Sequence, residues 1–334
     1  MKPPRTLCVI VFVLATLLLL TINVPSLEAA GKRRLFRRVQ VSPMSLVATK
    51  DGYWFNESGQ QIMFYQRVTK SQQGKWPRSN YIHPLFDLDG NEVTEDFPAD
   101  HPHHRGIYWA WHQIFAGDQR LGDAWVASDF ISEVVQAKVI QADEQAAALR
   151  VEVHWKSPLW TDEKKQPKPF LKETTVIRVQ RATDKLRLID FDIELQALVP
   201  NLHLGGSENA KGYSGFSARI KHPREVIFNG QAGPVQPQTT GLAAGPWIDM
   251  VGKYAAGNEV SGISILCHPG YPDDKQLWIL RSKSSMQNAA YPGQHAKPVT
   301  MEKPWRLKYR LVLHRGGTAE ANLPQLQKEF SSQP

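Results

Sequence analysis

Cysteine is nearly absent from this chain: 334 residues carry two. Cys8 falls in the N-terminal apolar run, which leaves Cys267 alone in the body. An intramolecular disulfide framework and paired C-x-x-C zinc or redox motifs are therefore excluded. Cys267 follows Ile263, Ile265 and Leu266 and reads as a small buried hydrophobe. Helical periodicity is equally scarce, since only Ala319 to Phe330, through Leu323 and Leu326, spaces its apolar residues as a helix does. No long apolar run occurs after Val24, and no H-E-x-x-H metal signature occurs anywhere. The body also lacks net charge. Much of the formal +8 sits in Lys32, Arg33, Arg34, Arg37 and Arg38, a local tail and not a field over a domain. No basic stripe with interleaved aromatics follows, so a nucleic-acid surface is excluded.

The N-terminus has Lys2 and Arg5, then an apolar run from Leu7 to Val24, then Ala29, Ala30 and Gly31. This is the layout of a secretory signal peptide, with enough length to serve as an uncleaved anchor. The expectation is an exported protein, periplasmic or extracellular, that touches membrane only through residues 7–24. The remaining organisation reads as a basic linker over 31–45, a single β domain over 46–316 and a C-terminal helix or tail over 317–334.

Period-2 alternation dominates the body. Leu149, Val151, Val153 and Trp155 alternate with Arg150, Glu152 and His154. Ile189, Phe191, Ile193 and Leu195 alternate with Asp190, Asp192 and Glu194, and Trp305, Leu307, Tyr309, Leu311 and Leu313 repeat the pattern. Tyr53-Trp54-Phe55 and Ile62-Met63-Phe64-Tyr65 flank Asn56-Glu57-Ser58-Gly59 as a hairpin, and Arg181-Ala182-Thr183-Asp184 turns a second one. Twenty-three glycines and twenty-three prolines supply the turns. The fold class that follows is all-β: a large antiparallel two-sheet sandwich, the galactose-mutarotase-like supersandwich favoured, with a short C-terminal helix.

Residues 100–112, D-H-P-H-H-R-G-I-Y-W-A-W-H, gather His101, His103, His104 and His112 with Arg105, Tyr108, Trp109 and Trp111. In an extended segment His101 and His103 share one face, and Pro102 disfavours helix. Two such histidines make half of a site for a divalent transition metal, with His268 among the candidate third ligands. Without metal, His103 or His104 serves as acid or base toward a substrate hydroxyl. Arg105 can grip a substrate carboxylate, as in a uronic acid, or form an internal pair with Asp100 or Asp249. Trp109, Trp111, Trp125, Trp247, Trp278 and Trp305 offer flat indoles for stacking under sugar rings, with core packing as the competing use.

The same loop, with Y-I-H-P-L-F-D-L-D-G before it and P-W-I-D-M-V-G, G-I-S-I-L-C-H-P-G and W-R-L-K-Y-R-L-V-L-H-R-G after it, resembles the PmoA-like family labelled "methane oxygenase PmoA" over roughly residues 50–315. That label implies a metal-dependent oxidoreductase. Where the family carries an acid before a glycine pair, this chain reads Gly212-Tyr213-Ser214-Gly215-Phe216, which turns attention to Glu208 upstream.

The favoured reading is an exported carbohydrate-active enzyme, an epimerase, lyase or hydrolase. His103, His104, Arg105, Asp249 and Glu208 are its catalytic candidates, and Trp109, Trp111, Trp247, His268 and Arg281 its substrate-binding ones. His101, His103 and His268 are the metal candidates. The alternative is a non-catalytic carbohydrate-binding protein. The oxidoreductase stands third.

Overall fold

The computed structural model describes residues 43–254, 259–270, 276–283 and 286–333. The leader, most of the basic linker and Tyr271 lie outside them. Two nine-stranded antiparallel sheets form a sandwich. The first runs in the order Met44–Ala48, Gly52–Glu57, Gln60–Gln66, Tyr81–Leu85, Ile107–Trp111, Ser214–Arg219, Met286–Ala290, Leu277–Arg281 and Leu242–Ala243. The second runs Ile131–Ala142, Ala146–Thr161, Pro167–Gln180, Leu186–Ala197, Trp305–Arg315, Ser261–Cys267, Trp247–Lys253, Arg224–Gly230 and Gly233–Val235. A smaller sheet pairs Lys297–Val299, Leu202–Gly205, Gln113–Ala116 and Gln119–Gly122. Among the described residues no helix is long and apolar enough to cross a membrane.

Alternation decides which side chains meet between the sheets. Trp109 and Phe216 from the first sheet meet Phe191 and Tyr309 from the second, with ring centroids 4.4–6.3 Å apart. The acidic face of Leu186–Ala197 is matched across the ladder by bases of Trp305–Arg315. Asp190 opposes Arg310, Asp192 opposes Lys308 and Glu194 opposes Arg306, with nitrogen–oxygen approaches of 2.6, 3.6 and 3.3 Å. Ion pairs account for the charges of that face, and the Phe330 ring covers Arg310 at 4.7 Å.

The inter-sheet core also accounts for several tryptophans read as sugar platforms. Trp109 donates its indole N–H to Glu173 Oε1 at 3.0 Å, and Trp111 donates to the Tyr291 carbonyl at 2.8 Å. Trp278 and Trp305 likewise donate to the carbonyls of Gly245 and Pro298. An inward indole buries its ring and satisfies its single donor, so none of these is a stacking surface for ligand.

The chain ends in two short helices, Thr318–Ala321 and Leu323–Ser331, laid over the outer face of the second sheet. Trp247, Leu266, Val312, Ala321, Leu323 and Phe330 form a second apolar cluster there. Beside it Asp249 is fully buried. Its Oδ1 accepts from Ser264 Oγ at 2.9 Å and lies 3.0 Å from His314 Nε2, while Oδ2 accepts from Thr318 Oγ1 at 2.7 Å. A serine, a histidine and an aspartate meet here, yet both partners bind the carboxylate and neither activates the other. A hydrolytic triad needs the histidine between the other two, so the arrangement docks the helix. Gly262 is required by it: a Cβ there would stand 2.2 Å from His314 Nε2. Asp249 and Trp247 are thus removed from the catalytic and substrate-binding candidates.

Candidate functional site

The histidine loop folds differently from an extended segment. The His104 amide donates to the His101 carbonyl at 2.9 Å, which closes a tight turn with Pro102 at its second position, where proline's fixed φ is favourable. The turn reverses the expected sharing of faces. His101 and His104 stack at 4.9 Å with planes 7° apart, and His103 sets its edge 4.6 Å from His104. Three imidazoles do gather, but not as His101 and His103 side by side.

Arg105 is fully buried inside the loop's base. It pairs through Nε with Asp96, donates to the Lys70 and Trp76 carbonyls at 3.1 and 3.0 Å and to Tyr81 Oη, and stacks on Phe97 at 3.6 Å. No fork remains for a substrate carboxylate. The internal partner is Asp96, not Asp100 or Asp249.

The site itself lies on the outer face of the first sheet. Since Trp109 and Phe216 point inward, their neighbours Tyr108 and Ser217 point outward, and the register places Tyr108, Ser217 and Asn288 in one row across three strands. Over this row sits Trp125. Its ring meets Tyr108 at 5.6 Å, His104 at 6.1 Å, His112 at 5.4 Å and Tyr213 at 5.3 Å. Trp125 is placed by the turn that carries it. Asp123 Oδ1 accepts the Trp125 and Val126 amides, and Arg78 Nη2 donates to the Ala124 and Trp125 carbonyls at 2.8 and 2.9 Å. His103, His112, Tyr213 and Arg281 are half-buried around it, and Arg281 Nη2 donates to Tyr213 Oη at 2.7 Å.

Two histidines carry the chemistry open to this rim. His112 Nδ1 lies 2.8 Å from Asp123 Oδ2. A carboxylate there holds the proton on Nδ1 and leaves Nε2 as the unprotonated nitrogen. His103 is held down at about 4 by burial and by the positive charge of Arg78 beside it. His104 is pushed to about 2 by burial, with His103 and Arg219 adding to the effect. His104 also lies 3.5 Å through Nδ1 from Arg219 Nη1, and Arg219 is clamped by Glu95 and Asp100, each at 2.7 Å. His104 therefore belongs to the loop's support. His101 is exposed beside Asp100, and exposed Glu208 lies 3.7 Å from Arg120, which in turn reaches the His112 carbonyl.

His268 is placed elsewhere. Its ring packs on Phe330 at 5.4 Å and its Nε2 lies 3.1 Å from the Gln333 carbonyl, under the C-terminal helix. It joins neither His101 nor His103. Among the described residues no three histidine, cysteine or acidic side chains are grouped as metal ligands. The set His101, His103 and His268 does not form, and His268 leaves the substrate-binding candidates as well.

The lowered histidines predict an acid limit to stability. The unfolded chain takes up protons on both imidazoles below about 6.5, whereas the folded chain does so only near 4 and 2. Stability is full above pH 6.5 and declines as pH falls toward 4, by up to about 1.4 kcal/mol per pH unit for a fully buried histidine. Half-exposed His103 contributes less, because solvent screens it. Denaturant titrations between pH 7 and 4.5 should show this slope, and His104→Asn should reduce it by close to one proton. An unchanged slope in that variant would contradict the assignment.

Of the site's residues, Tyr108 and His112 could have been found from sequence, because Trp109 and Trp111 facing inward obliges Tyr108 and His112 to face outward; Trp125 stood out only as one of the body's tryptophans. Arg78, Arg219 and Asn288 carried no such local signal. Searching curated proteins finds no match to this chain. The resemblance to the PmoA-like family is corrected by the family comparison. The profile that matches, over residues 55–328, is instead that of a family of unknown function, DUF6807, so the earlier label no longer lends support to a metal-dependent oxidoreductase. The chain is a member of this family of unknown function, DUF6807.

Proposed function

We propose that this is an exported carbohydrate-active enzyme that moves a proton on a sugar bound beside Trp125, on the outer face of the first sheet. The observation that carries the reading is His112, fixed by Asp123 at 2.8 Å, half-buried at a rim shared with His103 and Tyr213. A half-buried histidine oriented by a carboxylate, with its second nitrogen left unprotonated, is the arrangement of a general acid or base. Of the aromatic rings around Trp125, half-buried Tyr213 is the one exposed enough to meet the apolar face of a pyranose.

The acids nearby argue for which chemistry. Glu95 and Asp100 are bound to Arg219, and Asp123 is bound to His112. Hydrolysis through two carboxylates needs a free pair facing each other across the glycosidic bond. Proton abstraction and return by His112 and His103, as in an epimerase or lyase, uses what is present.

The test is a panel of neutral and acidic oligosaccharides, assayed for binding and turnover with wild type and His112→Gln. The variant is expected to bind within a few-fold of wild type and to lose about a hundredfold or more in turnover, the usual worth of a positioned acid or base. Binding without any turnover would favour the non-catalytic carbohydrate-binding reading. No binding to any member of the panel would overturn both.

A further inference from the structure

Arg78 ends the strand Lys75–Arg78 and is 6% exposed. Its guanidinium lies 4.7 Å over the Tyr108 ring, and its Nη2 reaches two carbonyls. Its Nε has no hydrogen-bond partner, and among the described residues no carboxylate forms an ion pair with it. The arginines around it differ in this respect, since Arg105 has Asp96 and Arg219 has Glu95 and Asp100. Burial lowers Arg78 only to about 10, so it keeps its charge at neutral pH. Buried charges are ordinarily paired.

Two more polar atoms with capacity to spare are buried in the row beneath Arg78. The Tyr108 oxygen can accept only a weak bond from Ser217, which leaves its O–H undonated, and Asn288 Oδ1 accepts none. Asn288 is fixed by its other end, where Nδ2 donates to the Ser214 and Phe216 carbonyls and to Ser217 Oγ. Arg78, stacked over Tyr108, and the row beneath it thus offer two donors, Arg78 Nε and the Tyr108 O–H, and one acceptor, Asn288 Oδ1. That set fits an anionic group with a hydroxyl next to it.

We infer that Arg78 is an anion subsite of this face, and that the sugar it takes is acidic. The carboxylate or sulfate accepts from Arg78 and Tyr108, and a neighbouring ring hydroxyl donates to Asn288. Because these atoms are closed off from solvent, the sugar enters as the rim residues part. The inference rests on the carbohydrate reading above, and it narrows the substrate class to uronates or sulfated sugars.

Titration calorimetry at constant ionic strength with sodium glucuronate, glucose 6-sulfate and glucose tests it. One of the two charged sugars is expected to bind about tenfold or more tighter than glucose, as a charge-assisted contact implies, and which one does so identifies the anionic group. Arg78→Gln should abolish the difference. A readout in the wild type guards against misfolding of that variant: the bound anion should raise the NMR-observed titration midpoint of His103, and glucose should not. Equal affinity for charged and neutral sugars would overturn the anion subsite and leave the carbohydrate reading standing. Absence of binding by all three would overturn the subsite, while the oligosaccharide panel decides the wider reading separately.

Discussion

Glu173→Gln is expected to destabilise the protein by about 3–5 kcal/mol, the cost of breaking a buried, hydrogen-bonded charge. Glu173 is completely buried between the sheets. Its Oε1 accepts from Asn80 Nδ2 at 2.8 Å, Trp109 Nε1 at 3.0 Å and Thr175 Oγ1 at 2.7 Å, and its Oε2 accepts from Trp155 Nε1 at 2.9 Å. Burial raises the carboxyl above its usual range, and the four donors act against that rise. A protonated carboxyl would need an acceptor. The indoles have none, and the amide of Asn80 is fixed because its Oδ1 accepts from Tyr65 Oη at 2.9 Å. The Thr175 hydroxyl at 2.7 Å can accept as well as donate, but the other three donors all favour the carboxylate.

Glutamine has nearly the same shape but turns one acceptor into a donor. In either orientation its NH₂ faces an indole or amide donor, so donors meet donors in a place water does not reach. Urea denaturation of wild type and variant measures the loss. Trp155→Phe in the Glu173→Gln background removes one opposing donor, so the double variant should be less destabilised than the two single changes summed. A loss below about 1 kcal/mol in Glu173→Gln would mean that the native group is a neutral acid.

Glu173 shows where a single sequence stops being readable. The strands Ala146–Thr161 and Leu186–Ala197 were legible because each buries mainly one face of a two-sided pattern. Trp305–Arg315 was legible from its alternating apolar residues, although helix and sheet bury both faces of its second half. The strand Trp247–Lys253 was not, since helix and sheet bury both of its faces, and Asp249 looked like a pocket acid where it is a docking contact. The histidine loop was visible as a concentration of unusual residues. Its geometry was not, because proline at position 102 suits both an extended run and the second position of a turn, and one hydrogen bond decides between them. The working face needed more still. Tyr108, Ser217 and Asn288 come together only after three strands far apart in the chain have paired, Arg78 and Trp125 are added from outside those strands, and nothing in a local window encodes that pairing.

Arg105→Met is expected to cost about 3–5 kcal/mol of stability, the range for leaving one half of a buried ion pair behind. The change strands Asp96, whose side chain is 5% exposed, with Lys70 as its remaining cation at 2.8 Å. It also leaves the Lys70 and Trp76 carbonyls and Tyr81 Oη without their donor. Arg105→Lys separates charge from shape. One ammonium can satisfy Asp96 but cannot hold two carbonyls and a phenol in the plane of a guanidinium stacked between Phe97 and Tyr81. Its expected loss is about 2 kcal/mol, from the unmade hydrogen bonds. Because Arg105 ties the hairpin Lys70–Arg78 to the base of the histidine loop, amide exchange in both variants should rise first in residues 70–78 and 96–105, with the second sheet protected. If Arg105 were instead a ligand-gripping residue, Arg105→Lys would weaken the binding of an acidic sugar and leave the denaturation midpoint where it was. That result would return the loop's arginine to the binding machinery and take the structural clamp away.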